Sequence, residues 1–346
     1  MSIELPIHWK IQGVNMGCFP ACLAMLISQP KKSYETWEVM ERLLMPYRIE
    51  ISHDHDLVLA GSAVEYDSLT NQVSAYNFGL ELFSARVDNQ KEFLKKASEL
   101  LHQGKAFITS ITVSGRGHTI VVYGMDKNKF MIHDPDNGVR YTRPVSITNY
   151  PTVPKQIISQ DDLLALARRG ARGMFVLGHL EQPASTPERP PLPSQLLNDR
   201  DLCWDGKKPG FTIGIAALQM ISDKTKRFGE DFQKSANIHA IRESYHSHGT
   251  KYLKPLTKNL YGAIVASGIV HFGDIERRRI NTAILETLEQ IYESFVDGLN
   301  QLSSAEKVEN KIMQRIIQGL DELVILFTAL AELIGNNEKN DGIILV

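Results

Sequence analysis

Cysteine is scarce in this chain, with Cys18, Cys22 and Cys203 the only three in 346 residues. An odd, sparse set excludes a disulfide framework and fits a reducing compartment, so a cytoplasmic location is expected. Long apolar runs are missing as well. The most apolar stretch, residues 323–334, falls short of the ~18 residues that call for a membrane span and carries Glu332, so no transmembrane helix is expected. Residues 1–13 lack a basic region followed by an apolar stretch and do not read as a secretory signal. Charge of one sign is also lacking. With a formal net charge of -2, no whole-protein field draws the chain onto nucleic acid or an acidic membrane, and a basic stripe interleaved with aromatics is absent. Neither nucleic acid nor membrane is expected as a partner.

What is present is the composition of a globular protein, 43% hydrophobic and 23% charged, with length enough for about two domains. Residues 181–193 hold five prolines. Proline removes amide donors and disfavours helix in the residue before it, so this stretch reads as an extended linker. Ahead of it, helical patterns at 20–28 and 91–103 mix with β-like runs at 106–113, 119–123, 129–133 and 173–177, which gives an α+β class. Behind it, residues 215–227, 231–245, 253–270, 274–299 and 305–334 show apolar residues at three-to-four spacing and almost no strand. The expected organisation is an α+β domain over 1–180, a linker over 181–195 and an all-helical domain over 196–346. The stripe Val308, Ile312, Ile316, Leu320, Leu323, Phe327, Leu330 and Ile334 is regular enough to form the seam of a homodimer.

Two segments carry chemistry. In the first, a loop with Gly13 and Gly17 runs into an apolar helix that Pro20 can open, which puts Cys18 at a helix N-terminus. The partial positive charge there favours a thiolate. Gln12, six residues upstream, offers a carboxamide N–H to a developing oxyanion. A buried cysteine beside a helix is the plainer reading of such a residue, and Cys22, one turn further along among alanine, leucine and methionine, is assigned to packing. A metal held by Cys18 and Cys22 would need two further soft ligands, and none is suitably spaced. No metal or cofactor is expected.

The second segment, residues 115–135, reads as a hairpin in which two apolar strands flank Asp126, Lys127 and Asn128. A pivot on Asp126 places His118 directly opposite Asp134 on one face with Ile120, Val122, Phe130 and Ile132. An aspartate there can hold the imidazole in one tautomer and orientation. A one-residue slip would instead bring His133 forward as the base, and an exposed histidine with a turn aspartate is the plainer alternative.

Taken together, the two segments resemble the double-glycine leader peptidases of bacteriocin export, a papain-like family. Gln12, Cys18, Ala21 and Leu23-Ala24-Met25 match that family's glutamine, nucleophile and small-apolar helix. His118, Gly124-Met125-Asp126 and Asp134-Pro135 match its histidine strand and its closing Asp-Pro. The likeness spans roughly residues 11–177. Phe19 stands where the family usually has glycine and Gly17 where it often has aspartate, and no transporter module follows. The chain also resembles standalone relatives with a helical second domain, the butirosin-pathway acyltransferases and the closthioamide-type amide-forming enzymes. Residues 209–215 are similar to the second domain of the butirosin type. These resemblances imply a papain-like fold with the Cys-bearing helix packed on an antiparallel sheet, followed by helices. They also imply a catalytic triad of Cys18, His118 and Asp134, with Gln12 in the oxyanion hole. The implied reaction is acyl transfer from an acyl or peptidyl carrier-protein thioester to a small-molecule amine in natural-product biosynthesis. A peptidase cleaving a leader or isopeptide bond, and a non-catalytic interaction protein, are the alternatives.

Other clusters have plainer readings. His53, Asp54, His55 and Asp56 could bind zinc from one face of a strand but suit a solvated loop. His246 and His248 suit a helix end. Arg277-Arg278-Arg279, and Lys224 with Lys226 and Arg227, suit a solvated helix face or a dock for an acidic carrier protein.

Overall fold

The β-like runs around the hairpin all become strands of one antiparallel sheet. A computed structural model describes residues 2–12, 17–29, 32–52, 57–61, 68–113, 116–136, 155–169, 173–187, 189–198, 211–234, 237–267, 274–304 and 308–341. The chain forms two compact units, Met1–Leu43 with Ala63–Pro190, and Leu44–Ser62 with Pro191–Val346. The cut after Pro190 falls inside the proline stretch. The excursion of residues 44–62 into the second unit departs from the continuous 1–180 domain read from the sequence.

In chain order the elements begin with β1 (Ser2–Glu4), α1 (Cys18–Ile27) and α2 (Thr36–Arg42), then β2 (Ile49–Ser52) and β3 (Leu57–Ala60) of the second unit. The first unit resumes with α3 (Ser68–Phe78), β4 (Glu81–Val87), α4 (Gln90–His102), β5 (Phe107–Val113), β6 (Arg116–Asp126), β7 (Lys129–His133), β8 (Lys155–Ser159), α5 (Gln160–Leu166) and β9 (Phe175–Glu181). Its sheet runs in the order β4-β9-β5-β6-β7-β8, with β1 also pairing with β6. Alternation decides which side chains enter the core. Phe107 and Ile111 on β5, Ile120 and Val122 on β6, and Phe130 and Ile132 on β7 pack with Phe93, Ala97, Leu100 and Leu101 of α4. Those four recur at helical spacing, and the Asn89 side chain caps the helix by accepting the Glu92 N–H at 2.9 Å.

The second unit holds α6 (Pro193–Asn198), β10 (Phe211–Ile213), α7 (Gly214–Lys234), α8 (Ile238–His248), α9 (Tyr261–Ala266), α10 (Ile275–Ser303) and α11 (Asn310–Asp341). It is mainly helical rather than all-helical. A small antiparallel sheet, β10-β2-β3, lies in it. Between α8 and α9 the helix widens into π-helical turns over Gly249–Leu253 and Pro255–Leu260. The apolar stripe of α11 from Ile312 to Ile334, with Val308 just ahead of it, is buried in the unit's own core with Ile284, Leu288, Ile291 and Phe295 of α10. Among the described residues no helix is long and apolar enough to cross a membrane.

One expectation about the surface clusters changes, and one cannot be placed. Residues 53–56 lie outside the described residues. Arg277 is not on a solvated face, since its residue is 7% exposed. His246 and His248 fall in the last turn of α8, as expected, and His248 is buried, its Nε2 3.0 Å from Thr225 Oγ1 and its ring stacked on Phe228. Thr225 spends its own proton on the Ile221 carbonyl at 2.8 Å, so His248 is the donor of that pair.

Candidate active site

Cys18 is the first residue of α1, with Gly17 at the N-cap. Gly17 has no side chain to cap the helix and the first turn holds no acidic residue, so nothing in the helix itself offsets the positive end of its dipole. An anion formed on the Cys18 sulfur meets that end directly. Cys18 is partly exposed, whereas Cys22 is fully buried and its Sγ donates to the Thr119 carbonyl at 3.3 Å. Cys22 is a packing residue, as its place in the apolar helix indicated, and it pins α1 to β6 one residue from His118. Phe19 is also buried, at 3% exposure.

His118 and Asp134 meet, but through a different register from a pivot on Asp126. The turn is Lys127-Asn128. Asp126 pairs with Lys129, Met125 with Phe130 and Gly124 with Met131. If that register continued, Asp134 would fall opposite Val121 and point to the wrong face. A bulge at Tyr123 intervenes. Beyond it Val122 pairs with Ile132 and Val121 with His133, a shift of one residue. The shift restores parity, so Asp134 comes opposite Ile120 and shares a face with His118 as its diagonal neighbour. The direct opposition expected from the sequence is corrected to a diagonal pair. On the reverse face His133 stacks on Tyr123 with ring centroids 4.1 Å apart, and its Nε2 lies 2.9 Å from the Ile7 carbonyl. His133 is therefore directed away from the pair.

His118 Nε2 lies 2.8 Å from Asp134 Oδ1, with both side chains buried. Cys18 lies close enough to the same ring to favour its charged form. With Nε2 committed to the carboxylate, Nδ1 is the nitrogen left for sulfur. Burial by itself would lower the pKa of His118. Hydrogen bonds to Asp134 and Cys18, together with their negative charges, outweigh it and raise the value to about 10. The imidazolium is thus the resident form at neutral pH, held between two groups that carry or develop negative charge.

Further contacts fix Asp134, and the sequence reading did not anticipate them. The Asp136 N–H donates to Asp134 Oδ1 at 2.8 Å, closing an Asx-type turn for which the Asp-Pro-Asp string is the sequence signal. Trp9 Nε1 donates to the Asp134 carbonyl at 2.6 Å. The Gln12 N–H donates to the Pro135 carbonyl at 2.9 Å, which ties the loop ahead of α1 to the segment carrying Asp134. The Gln12 side-chain oxygen is buried with no hydrogen-bond partner among the described residues. That leaves the acceptor atom of the carboxamide unspent on the protein's own structure. No group of three or more metal-binding side chains is found among the described residues.

The arrangement can generate a sulfur nucleophile, protonate a leaving group and hold the imidazole in one orientation. Residues 4–156, which include Gln12, Cys18, His118 and Asp134, match the family model described as the Peptidase_C39 like family. The match covers less than half of the chain. It supports a relationship to the papain-like cysteine peptidases and agrees with the fold, a C39-like peptidase domain followed by a mainly helical part. No curated protein matches the chain.

Proposed function

We propose that the chain is a cysteine-dependent acyltransferase that forms an amide from a carrier-protein thioester and a small-molecule amine. The observation that supports this reading is the buried His118–Asp134 pair at 2.8 Å, together with Cys18 at the uncapped start of α1 and near enough to favour the charged ring. In this reading the Cys18 thiolate attacks the thioester carbonyl and the Gln12 carboxamide N–H donates to the oxyanion. As the tetrahedral species collapses, the carrier thiolate leaves and takes the His118 proton. The product is an acyl group on Cys18 and a neutral imidazole. The amine then attacks that acyl group, gives its proton to His118, and expels Cys18 as thiolate. Donor thioester and amine become amide and thiol, and the enzyme returns to its starting state. Asp134 orients the ring and stabilises its charged form throughout. Transfer rather than hydrolysis is supported by the resemblance to standalone acyltransferases and by the mainly helical second unit, the part of the chain that remains for recognising an acyl or peptidyl carrier protein or the amine.

The match to a peptidase-like family favours a second reading, a cysteine peptidase using the same residues on a leader or isopeptide bond. Intact-mass analysis after incubation with an acyl pantetheine thioester separates the two. Acyl transfer predicts an adduct on wild type, absent from Cys18→Ala and discharged by added amine. No adduct on wild type, or one that survives Cys18→Ala, sinks the transfer reading. Turnover of short peptides without any thioester supports the peptidase.

A further inference from the structure

We infer that Arg277 anchors an oxyanion-binding site in the second unit, one that takes a carboxylate or phosphate group of a ligand through the planar edge of its guanidinium. Arg277 lies in the first turn of α10 and is 7% exposed. Arginine stays charged in a protein, so its burial demands compensation. The compensation visible is slight. One Nη2–H donates to the Tyr47 hydroxyl at 2.5 Å, while Nε is buried with no hydrogen-bond partner among the described residues. No ion pair of the described residues includes it. The two carboxylates of its own helical turn are engaged elsewhere, Asp274 as the N-cap that accepts the Arg277 backbone N–H at 2.7 Å and Glu276 with Arg279 at 2.8 Å. The neighbouring buried arginine, Arg48, does have a carboxylate near it, Glu50 at 3.7 Å.

The Asp274 cap and Glu276 already offset the positive end of α10, so the buried guanidinium itself is what an anion would meet. An oxyanion placed against Nε–H and the second Nη2–H would receive two parallel charge-assisted bonds. It would neutralise the buried charge. Lysine cannot reproduce that fork. The inference is independent of the acyl-transfer reading and concerns residues of the second unit alone.

The test is thermal unfolding of the full chain at constant ionic strength with inorganic phosphate, acetate or pantetheine 4′-phosphate replacing chloride. Wild type is expected to show a saturable rise in Tm, roughly 5 °C at a hundredfold excess over Kd. Phosphate without acetate would assign a phosphoryl ligand, and acetate without phosphate a carboxylate. A response to pantetheine 4′-phosphate well above that to inorganic phosphate would point to a carrier arm. Arg277→Met should abolish the rise, and Arg277→Lys should weaken binding about tenfold or more. The inference is overturned if no anion gives a saturable rise in wild type or if Arg277→Met retains it. Should neither substituted chain fold, arginine Nε–H resonances of labelled wild type are followed during a phosphate and acetate titration. A saturating shift of a solvent-protected resonance supports the site, and immobile resonances overturn it.

Discussion

Replacing Asp134 by asparagine removes one charge from a buried pair while leaving size and shape almost unchanged, so it isolates what the carboxylate does to His118. Burial is the largest single influence on that ring, and it opposes charge. In wild type the partners overcome it and hold the imidazolium up to about 10. With the carboxylate gone, Cys18 alone opposes burial and His118 is expected to fall well below about 10, each unit lost being worth about 1.36 kcal/mol. Removing one member of a buried ion pair costs about 3–5 kcal/mol, which sets the scale of the stabilisation the imidazolium loses. The folded-state value is raised, so the stability contributed by His118 is fully present below pH ~6.5 and lost as pH rises through about 10. Wild type should therefore lose stability steadily across that window, and Asp134→Asn should be less stable at pH 7 and much flatter over the same range. Histidine ring resonances give the titration directly, with His118 assigned by its disappearance in His118→Ala. Urea midpoints between pH 6 and 10 give the stability. If wild-type His118 titrates near 6.5, or moves by less than one unit in Asp134→Asn, the charged-ring account is wrong.

Iodoacetamide should alkylate Cys18 in preference to the fully buried Cys22, and His118→Ala should slow the reaction at Cys18; peptide mapping after a timed pulse reads both effects. Gln12→Ala should slow acyl-enzyme formation ~10²-fold or more without preventing folding, as measured by the rate of adduct appearance in intact mass. Lys127 occupies the hairpin turn with φ 52°, a left-handed conformation that costs a side chain energy. Lys127→Gly should stabilise the first unit by about 0.5–1 kcal/mol in a urea titration. Gly249→Ala should destabilise the second unit by about 1–3 kcal/mol, because its new methyl would sit 2.0 Å from the Phe295 ring.

Local chemistry made much of the site legible in the sequence. A cysteine between glycines and a proline-opened apolar helix fixes a thiol at a helix start, whatever surrounds it. The β-like runs at 106–113, 119–123 and 129–133 marked the central strands because their apolar side chains fill the core. The stripe on α11 was legible for the same reason at helical period. Less was visible where burial comes from distant partners. β2, β3 and β8 are short, and nothing within residues 44–62 signals that they leave the first unit for the second. The triple arginine at 277–279 looked uniform, yet the direction of each side chain around the helix sends Arg277 inward while Arg279 pairs with Glu276 near the surface. The sharpest division lies in the hairpin. Sequence alone nominated the residues that could act, Cys18, His118 with His133 as the alternative, Asp134 and Gln12, because residue type and helix or strand period are local properties. Tertiary structure alone decided that His118 and Asp134 share a face. That depends on a one-residue bulge at Tyr123, and strand register is set by pairing across the sheet, which no local pattern specifies.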